Sequence, residues 1–246
     1  MRVYGSFSYD LVNNEKRLGG SALYTTLGVL STGIRPELIA VGMRDQLGCL
    51  DEALKDYLLL EDPNSFVFVI SLSNGKRSLA LGSKPDVKVR TKFEGWGVIN
   101  PLCREFEVVE APKSFIDAQG FVRICETGKP IQHDNDALLP EGVMGIHANY
   151  QELPKRLPDY REVIISYDED GFELKVKGEG TFKLRPERIG EHSIGAGDFL
   201  LGAYVALREV GLKPLESAKR AQQLLEEFSI LGPTEWTRRK LGCSSS

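Results

Sequence analysis

Clustered positive charge is what this chain has least of. Its 31 Lys and Arg residues stand against 35 Asp and Glu, a formal net charge of -4, and no Lys/Arg run forms a stripe. Nucleic acid is read through such stripes, so no nucleic-acid partner is expected. Long apolar runs are also missing. None approaches the roughly 20 residues of a membrane span, and the N-terminus carries no basic-then-apolar leader. No membrane partner is expected, and the cytoplasm is the expected compartment. The four cysteines, Cys49, Cys103, Cys125 and Cys243, are scattered, with no C-x-x-C pair and no histidine at ligand spacing. Structural zinc is therefore not expected, and reduced, mostly buried thiols are. There is no G-x-x-x-x-G-K-[ST] loop, which excludes a P-loop kinase, and no internal repeat.

What remains is ordinary for a globular enzyme-sized chain: 246 residues, 41% apolar and 27% charged. That is enough for one α/β domain over 1–246, and no linker divides it. Residues 2–6 read as a first strand, and 20–30 as a helix of small apolar residues after Gly19-Gly20. Residues 37–41 are strand-like and 47–60 helical in spacing, a β-α-β-α opening. The runs 66–70 and 78–81 flank Asn74-Gly75, a type I′ hairpin signal, and predict an accessory flap over 66–81, with an added edge hairpin of the main sheet equally allowed by the pattern. Short strands follow at 97–99, 114–117, 145–147 and 163–166, then a hairpin over 172–184. Helices over 198–210 and 214–231 close the chain. This alternation predicts a doubly wound, mostly parallel sheet with helices on both faces.

The most informative stretch is Gly195-Ala196-Gly197-Asp198, where a helix begins. First-turn N–H groups lack intrahelical partners and the helix dipole is positive there, so the start of a helix attracts anions. Gly195 and Gly197 put no Cβ in the path of a phosphate. Asp198, a carboxylate placed in that same anion hole, has the chemistry of a general base, taking a proton from an alcohol while the amides of Gly195, Ala196 and Gly197 hold the transferred phosphoryl group. The plainer alternative is an N-cap aspartate. In a parallel sheet, ligands collect beyond the carboxyl ends of strands. Asp10, Gly19, Gly20, Asn149, Glu152 and Asp198 all fall there, each with a turn or cap as its plainer reading.

Taken in order, these residues resemble the ribokinase-like (PfkB) carbohydrate kinases over nearly the whole chain. Gly195-Ala196-Gly197-Asp198 looks like that family's C-terminal signature, Gly19-Gly20 with Gly42 and Asp45 like its N-terminal one, and Asn149-Tyr150-Gln151-Glu152 like its N-x-x-E motif. The resemblance implies a three-layer ribokinase-like sandwich with a β lid. It implies that Asp198 is the base, that Glu152 with Asn149 organises Mg²⁺ through water, and that Asp10 with Gly19 and Gly20 holds substrate hydroxyls. Ser166 and Gly171 match the ends of a nucleotide-side T-x-G-x-x-G loop, with Asp168 in place of its middle glycine. His192-Ser193-Ile194 stands where Asp-Thr-Thr is usual. Tyr24 replaces an Asn that touches ribose in ribokinases.

Only eight residues separate Asp10 from Gly19, so a small, reduced lid is expected, with the 66–81 hairpin as its main remnant. That trimming, Tyr24, and the run from Ile116 to Arg123 look like the small archaeal members, including myo-inositol kinase-like proteins. Gln119 and Arg123, beyond Asp117, could then reach the substrate or its phosphate. The expected activity is phosphorylation of a hydroxyl on a small sugar or cyclic polyol, with ATP as co-substrate and Mg²⁺ as cofactor, by a monomer or homodimer. Two alternatives stand beside it: a nucleoside or hydroxymethylpyrimidine kinase of the same fold, and a non-catalytic sugar- or nucleotide-binding regulator.

Overall fold

The computed structural model describes residues 1–12, 15–73 and 76–242. The expected Asn74-Gly75 turn and the 243–246 tail lie outside the described residues. The chain opens with β1 (Arg2–Ser6), β2 (Ser8–Val12), β3 (Glu15–Gly19), α1 (Ser21–Leu30), β4 (Glu37–Val41), α2 (Leu50–Ala53) and β5 (Asp56–Leu60). There follow β6 (Phe66–Ser73), β7 (Lys76–Ser83), β8 (Val89–Lys92), β9 (Trp96–Asn100), β10 (Phe106–Glu110), β11 (Lys113–Asp117), the one-turn α3 (Gln119–Val122), β12 (Arg123–Ile124) and β13 (Gln132–His133). The last part is β14 (Gly145–Asn149), β15 (Glu162–Ser166), β16 (Phe172–Val176), β17 (Gly180–Leu184), α4 (Ala196–Glu209) and α5 (Pro214–Leu241), which kinks at Gly232.

Nine strands form the main sheet in the order β17-β16-β15-β14-β11-β9-β1-β4-β5. From β15 to β5 every neighbour is parallel, while β16 and β17 run antiparallel at one edge. The register brings Ser6, Asn100, Asp117, His147, Asn149 and Ser166 to one end of the sheet, the carboxyl end where ligands collect. Side chains alternate across the pleat. Val3, Leu38, Val98 and Phe115 face one core, and Tyr4, Val41, Ile99 and Ile116 face the other.

The first core is roofed by α1, α4 and α5. A Cβ on Gly28 would stand 2.1 Å from the Phe199 carbonyl oxygen, and one on Gly202 would stand 2.2 Å from that of Thr25. The two helix backbones therefore touch, and their starts are held side by side at the carboxyl end of the sheet. Phe199 stacks on Phe228 at 4.4 Å and meets Trp236 edge-on, so Phe199→Ala would cost about 3–5 kcal/mol. The second core has no long helix among the described residues. It is covered by α3, the parallel pair β8 and β10, and irregular chain between residues 101 and 143. Helices on both faces were the expectation; here the connections from β9 to β11 and from β11 to β14 are spent on short strands, one helical turn and irregular chain.

A separate four-stranded sheet, in the order β3-β2-β6-β7, forms the lid. The segment between Asp10 and Gly19 was expected to add little to it, yet β2 and β3 pair there as an antiparallel ribbon, and β2 pairs parallel to β6. Backbone bonds from the 128–131 segment to Leu79 and Leu81 tie β7 to the body. A further correction concerns the cysteines. Cys103 and Cys125 form a disulfide, and none of the cysteines in the described residues is free. Scattered spacing concealed the pairing, because the fold returns residue 125 to residue 103 after the β11–α3 turn. No helix is long and apolar enough to cross a membrane, among the described residues.

Candidate active site

At the start of α4, Gly195 adopts a left-handed backbone with φ 76. The Tyr24 ring lies directly beneath it, 2.2 Å from where a Cβ would be. Glycine is required twice over, by conformation and by space. The chain then enters the helix with the first-turn N–H groups lacking partners within the helix, although the Ala196 N–H donates outside it to the Ser193 carbonyl at 3.2 Å. Asp198 sits in that turn. Its Oδ1 accepts hydrogen bonds from Asn100 Nδ2 (2.8 Å) and Gln119 Nε2 (2.7 Å), while Oδ2 has no bonded partner among the described residues. The two amides are locked in turn: Gln119 Nε2 also reaches Asn100 Oδ1, and Asn100 Nδ2 reaches Thr25 Oγ1.

Burial disfavours charge on Asp198, and Asp117 nearby adds to this. Asn100, Arg123 and His147 pull the other way, and the balance raises the pKa to about 6, against near 4 for an exposed Asp. The carboxylate is held by two neutral donors and paired with no cation. It is ionised at neutral pH and still has appreciable proton affinity, which is what a general base needs.

Behind α4 lie the ends of β11, β14 and β15. His147 is buried, with Nδ1 2.6 Å from Asp117 Oδ2 and Nε2 3.2 Å from Ser166 Oγ. Burial works against a charged imidazole, but Asp117, and further off Asp198 and Glu152, outweigh it and raise the His147 pKa. On the lid side, the Asp10 carboxylate accepts from Ser8 Oγ (2.9 Å) and lies against Gly19, where a Cβ would come within 2.4 Å of Oδ2. Gly20 caps α1 with φ 95, and the next residue, Ser21, donates to the Asn100 carbonyl. The lid base and the Asp198 cradle thus share Asn100.

No family model matches the chain, and a search of curated proteins found no similar one. Solved structures do match. A pyrophosphate-dependent kinase in the ribokinase family, complexed with a pyrophosphate analog and myo-inositol, is 16% identical with a TM-score of 0.74, over 99% of this chain and 100% of that one. The Burkholderia thailandensis nucleoside kinase in complex with inosine is 15% identical with a TM-score of 0.65, over 97% and 96%. Arabidopsis thaliana ribokinase complexed with ribose and ATP is 13% identical with a TM-score of 0.63, over 99% and 98%. The chain has the ribokinase fold.

Within that fold the residues singled out from the sequence divide into those that converge and those that do not. Gly195, Ala196, Gly197 and Asp198 are contiguous at the helix start, and Ser166 approaches them through His147. Gln119, expected on the substrate, holds Asp198. Tyr24, also expected on the substrate, is buried in the core as the support of Gly195 and meets Phe228 edge-on. Gly171 makes a tight turn with φ 93 against the Leu184 carbonyl. Asp168 holds a left-handed φ of 49 where the expected loop has glycine, a conformation Asp tolerates better than most residues, so the bend survives the substitution.

Glu152 and Arg123 have found each other. Arg123 Nε donates to Glu152 Oε1 at 2.8 Å, and His133 Nε2 lies 3.4 Å from the same oxygen. Burial pushes the Glu152 pKa up, but Arg123 and then His133 overcome this and hold it at about 2. Asn149 accepts from the Gln151 N–H and donates to Asp168. The two residues thus turn to different partners, and Glu152 is already neutralised. Among the described residues no group of three His, Cys, Asp or Glu side chains could hold a metal ion. Asn149 and Glu152 thus belong to no direct metal-ligand cluster, and the Mg²⁺ contact expected of them runs through water, which needs none.

Sequence reasoning passed over Asn100 as a partner of the base and His147 as part of the site. Asn100 ends the apolar strand β9 and His147 lies inside β14 between Ile146 and Ala148, and a polar residue within such an apolar run is the signal that could have found them.

Proposed function

We propose that this protein transfers a phosphoryl group from a phosphoanhydride to a hydroxyl of a small sugar or cyclic polyol. The observation that carries the reading is Asp198: a carboxylate in an anion-attracting helix start, cradled by neutral amides, with a pKa of about 6. Asp10, with Gly19 and Gly20 beside it, orients the acceptor. Asp198 Oδ2 takes the proton as the acceptor oxygen attacks phosphorus, and the N–H groups of Gly195, Gly197 and Asp198 face the charge that builds on the phosphoryl oxygens, with the Ala196 N–H turned to the Ser193 carbonyl. The second phosphate departs with the bridging oxygen, and Asp198 then gives up its proton to solvent. Ser166 and Gly171 lie on the donor side. Arg123, neutralised by Glu152, orders the wall beside the base.

ATP is the first donor to test. Pyrophosphate is the second, favoured by the full-length similarity to a kinase that uses it and by the acidic Asp168-Glu169-Asp170 turn, which would repel a longer polyanion. Mg²⁺ belongs to this reading as the donor's counter-ion, and no step depends on a protein ligand for it. The cytoplasm is the matching compartment. A disulfide fits there in hyperthermophiles, whose intracellular proteins are disulfide-rich.

The test is phosphoryl transfer from ATP and from pyrophosphate across sugars, polyols and nucleosides, beside an Asp198→Asn control. Turnover of a polyhydroxylated ring that is lost in the control supports the proposal. Preference for nucleosides would move it to a nucleoside kinase. Tight binding with no turnover of any acceptor would make the protein a regulator and sink the proposal.

A further inference from the structure

A closed path of contacts runs around Asp198. Its Oδ1 is held by the Gln119 carboxamide at 2.7 Å, and the Gln119 backbone N–H donates to Asp117 Oδ1 at 2.9 Å. Asp117 Oδ2 lies 2.6 Å from His147 Nδ1. The edge of that imidazole faces Gly197, where an added Cβ would stand 2.7 Å from Cε1. Gly197 is bonded to Asp198, so the path returns to its start.

The members come from three structural pieces: the end of β11 with the start of α3, the middle of β14, and the start of α4. Burying a histidine on a strand among Ile146 and Ala148 is costly unless both ring nitrogens are bonded, and here they are, with Ser166 Oγ at 3.2 Å from Nε2. Packing alone would be served better by an apolar side chain. The ring also occupies the space that Gly197 leaves, so a stiff planar group supports the middle of the anion hole. A misplacement of about 1 Å between base and phosphate costs on the order of a hundredfold in rate.

We propose that His147, fastened by Asp117 and Ser166, is a positioning residue that sets Gly197 and its anion-binding amides at a fixed place relative to the Asp198 carboxylate. The assignment rests on the phosphoryl-transfer reading above. It predicts a kinetic signature that a purely structural histidine lacks, because the ring's contacts are to Asp117, Ser166 and Gly197 in the body and anion hole and not to the lid strands.

His147→Asn keeps a donor toward Asp117 and removes the ring. The variant should keep its circular dichroism spectrum and lose about ten- to a hundredfold in kcat, with the acceptor KM changed by less than about threefold. Adding Gln119→Ala, another member of the path, should cost little more, since the two act as a unit. Losses that multiply, or a variant whose folded fraction turns over at the wild-type rate, would overturn the assignment. Imidazole nitrogen NMR supplies a readout without turnover: on saturation with inorganic pyrophosphate the His147 ring signals should shift. Signals from residues 195–198 that move while His147 stays still would also overturn it. Pyrophosphate and ATP that perturb no signal at all would instead defeat the phosphoryl-transfer reading.

Discussion

The two ends of α4 each meet a buried carboxylate, and the two are treated oppositely. At its start, Asp198 is gripped by the neutral amides of Asn100 and Gln119. Near its end, Arg208 makes a two-point contact with the fully buried Glu162, at 3.2 Å and 2.9 Å, while Tyr204 donates to the same carboxylate at 2.6 Å. Glu162 is neutralised and fastens α4 to the amino end of β15. Asp198 is desolvated without a cation, and its proton affinity rises. A buried carboxylate becomes a reagent or a strut according to whether a cation shares its oxygens.

Breaking the comparison at the reactive end should have the largest effect. Asp198→Asn keeps both amide contacts to Oδ1 and removes the proton acceptor, so kcat should fall by about 10² to 10⁴. The same change should stabilise the fold. Asp198 binds its proton more tightly when folded, so its ionisation lowers stability as pH rises from near 4 through about 6. Above that window the asparagine variant should gain on the order of 1 kcal/mol in denaturant titrations. A less stable variant at pH 8 would contradict the charge assignment.

At the other end, Arg208→Met leaves Glu162 buried without its cation. The expected loss is about 3–5 kcal/mol of stability, with kcat of the folded fraction unchanged. A large kcat effect there would show that the two ends are not independent.

Glu152 sharpens the contrast, since it lies near the site yet is of the Glu162 type. Its pKa is depressed to about 2, so its contribution to stability is present above about pH 4 and is lost as pH falls toward 2. Acid titration of Glu152→Gln should show wild type losing on the order of 2 kcal/mol more than the variant over that window. Equal acid sensitivity would mean that Arg123 and His133 do not hold it.

The smallest expected effect is at the cradle. Asn100 lowers the Asp198 pKa by donating to the charged form, so Asn100→Ala should move the acidic limb of the pH–rate profile upward by less than about one unit. A downward move would reverse its role.

The parts legible in the sequence were those written locally. Gly195 to Asp198 are consecutive, and a helix start explains all of them at once. The parallel sheet followed from short apolar runs separated by crossovers. The β2–β3 ribbon was hidden because Lys16, Arg17 and Glu15 make an exposed strand read as a polar loop. Asn100 and His147 stand out locally as polar residues in apolar runs, but that they and Gln119 meet Asp198 or Gly197 follows only from β9, β11 and β14 running parallel toward one end of the sheet. Tyr24 looked like a ligand contact because it follows the double glycine, but helix geometry turns it inward beneath Gly195. The disulfide was missed for the same reason as the cradle, since its two halves meet only in the fold.

The most direct test of the central claim is the pH dependence of kcat/KM for phosphoryl transfer by the wild-type protein, with Asp198→Asn beside it. A single ionisation near pH 6, active when deprotonated and absent from the variant's residual rate, is the expected result. A rate that stays level down to pH 4.5, or an acidic limb that survives in Asp198→Asn, would contradict it.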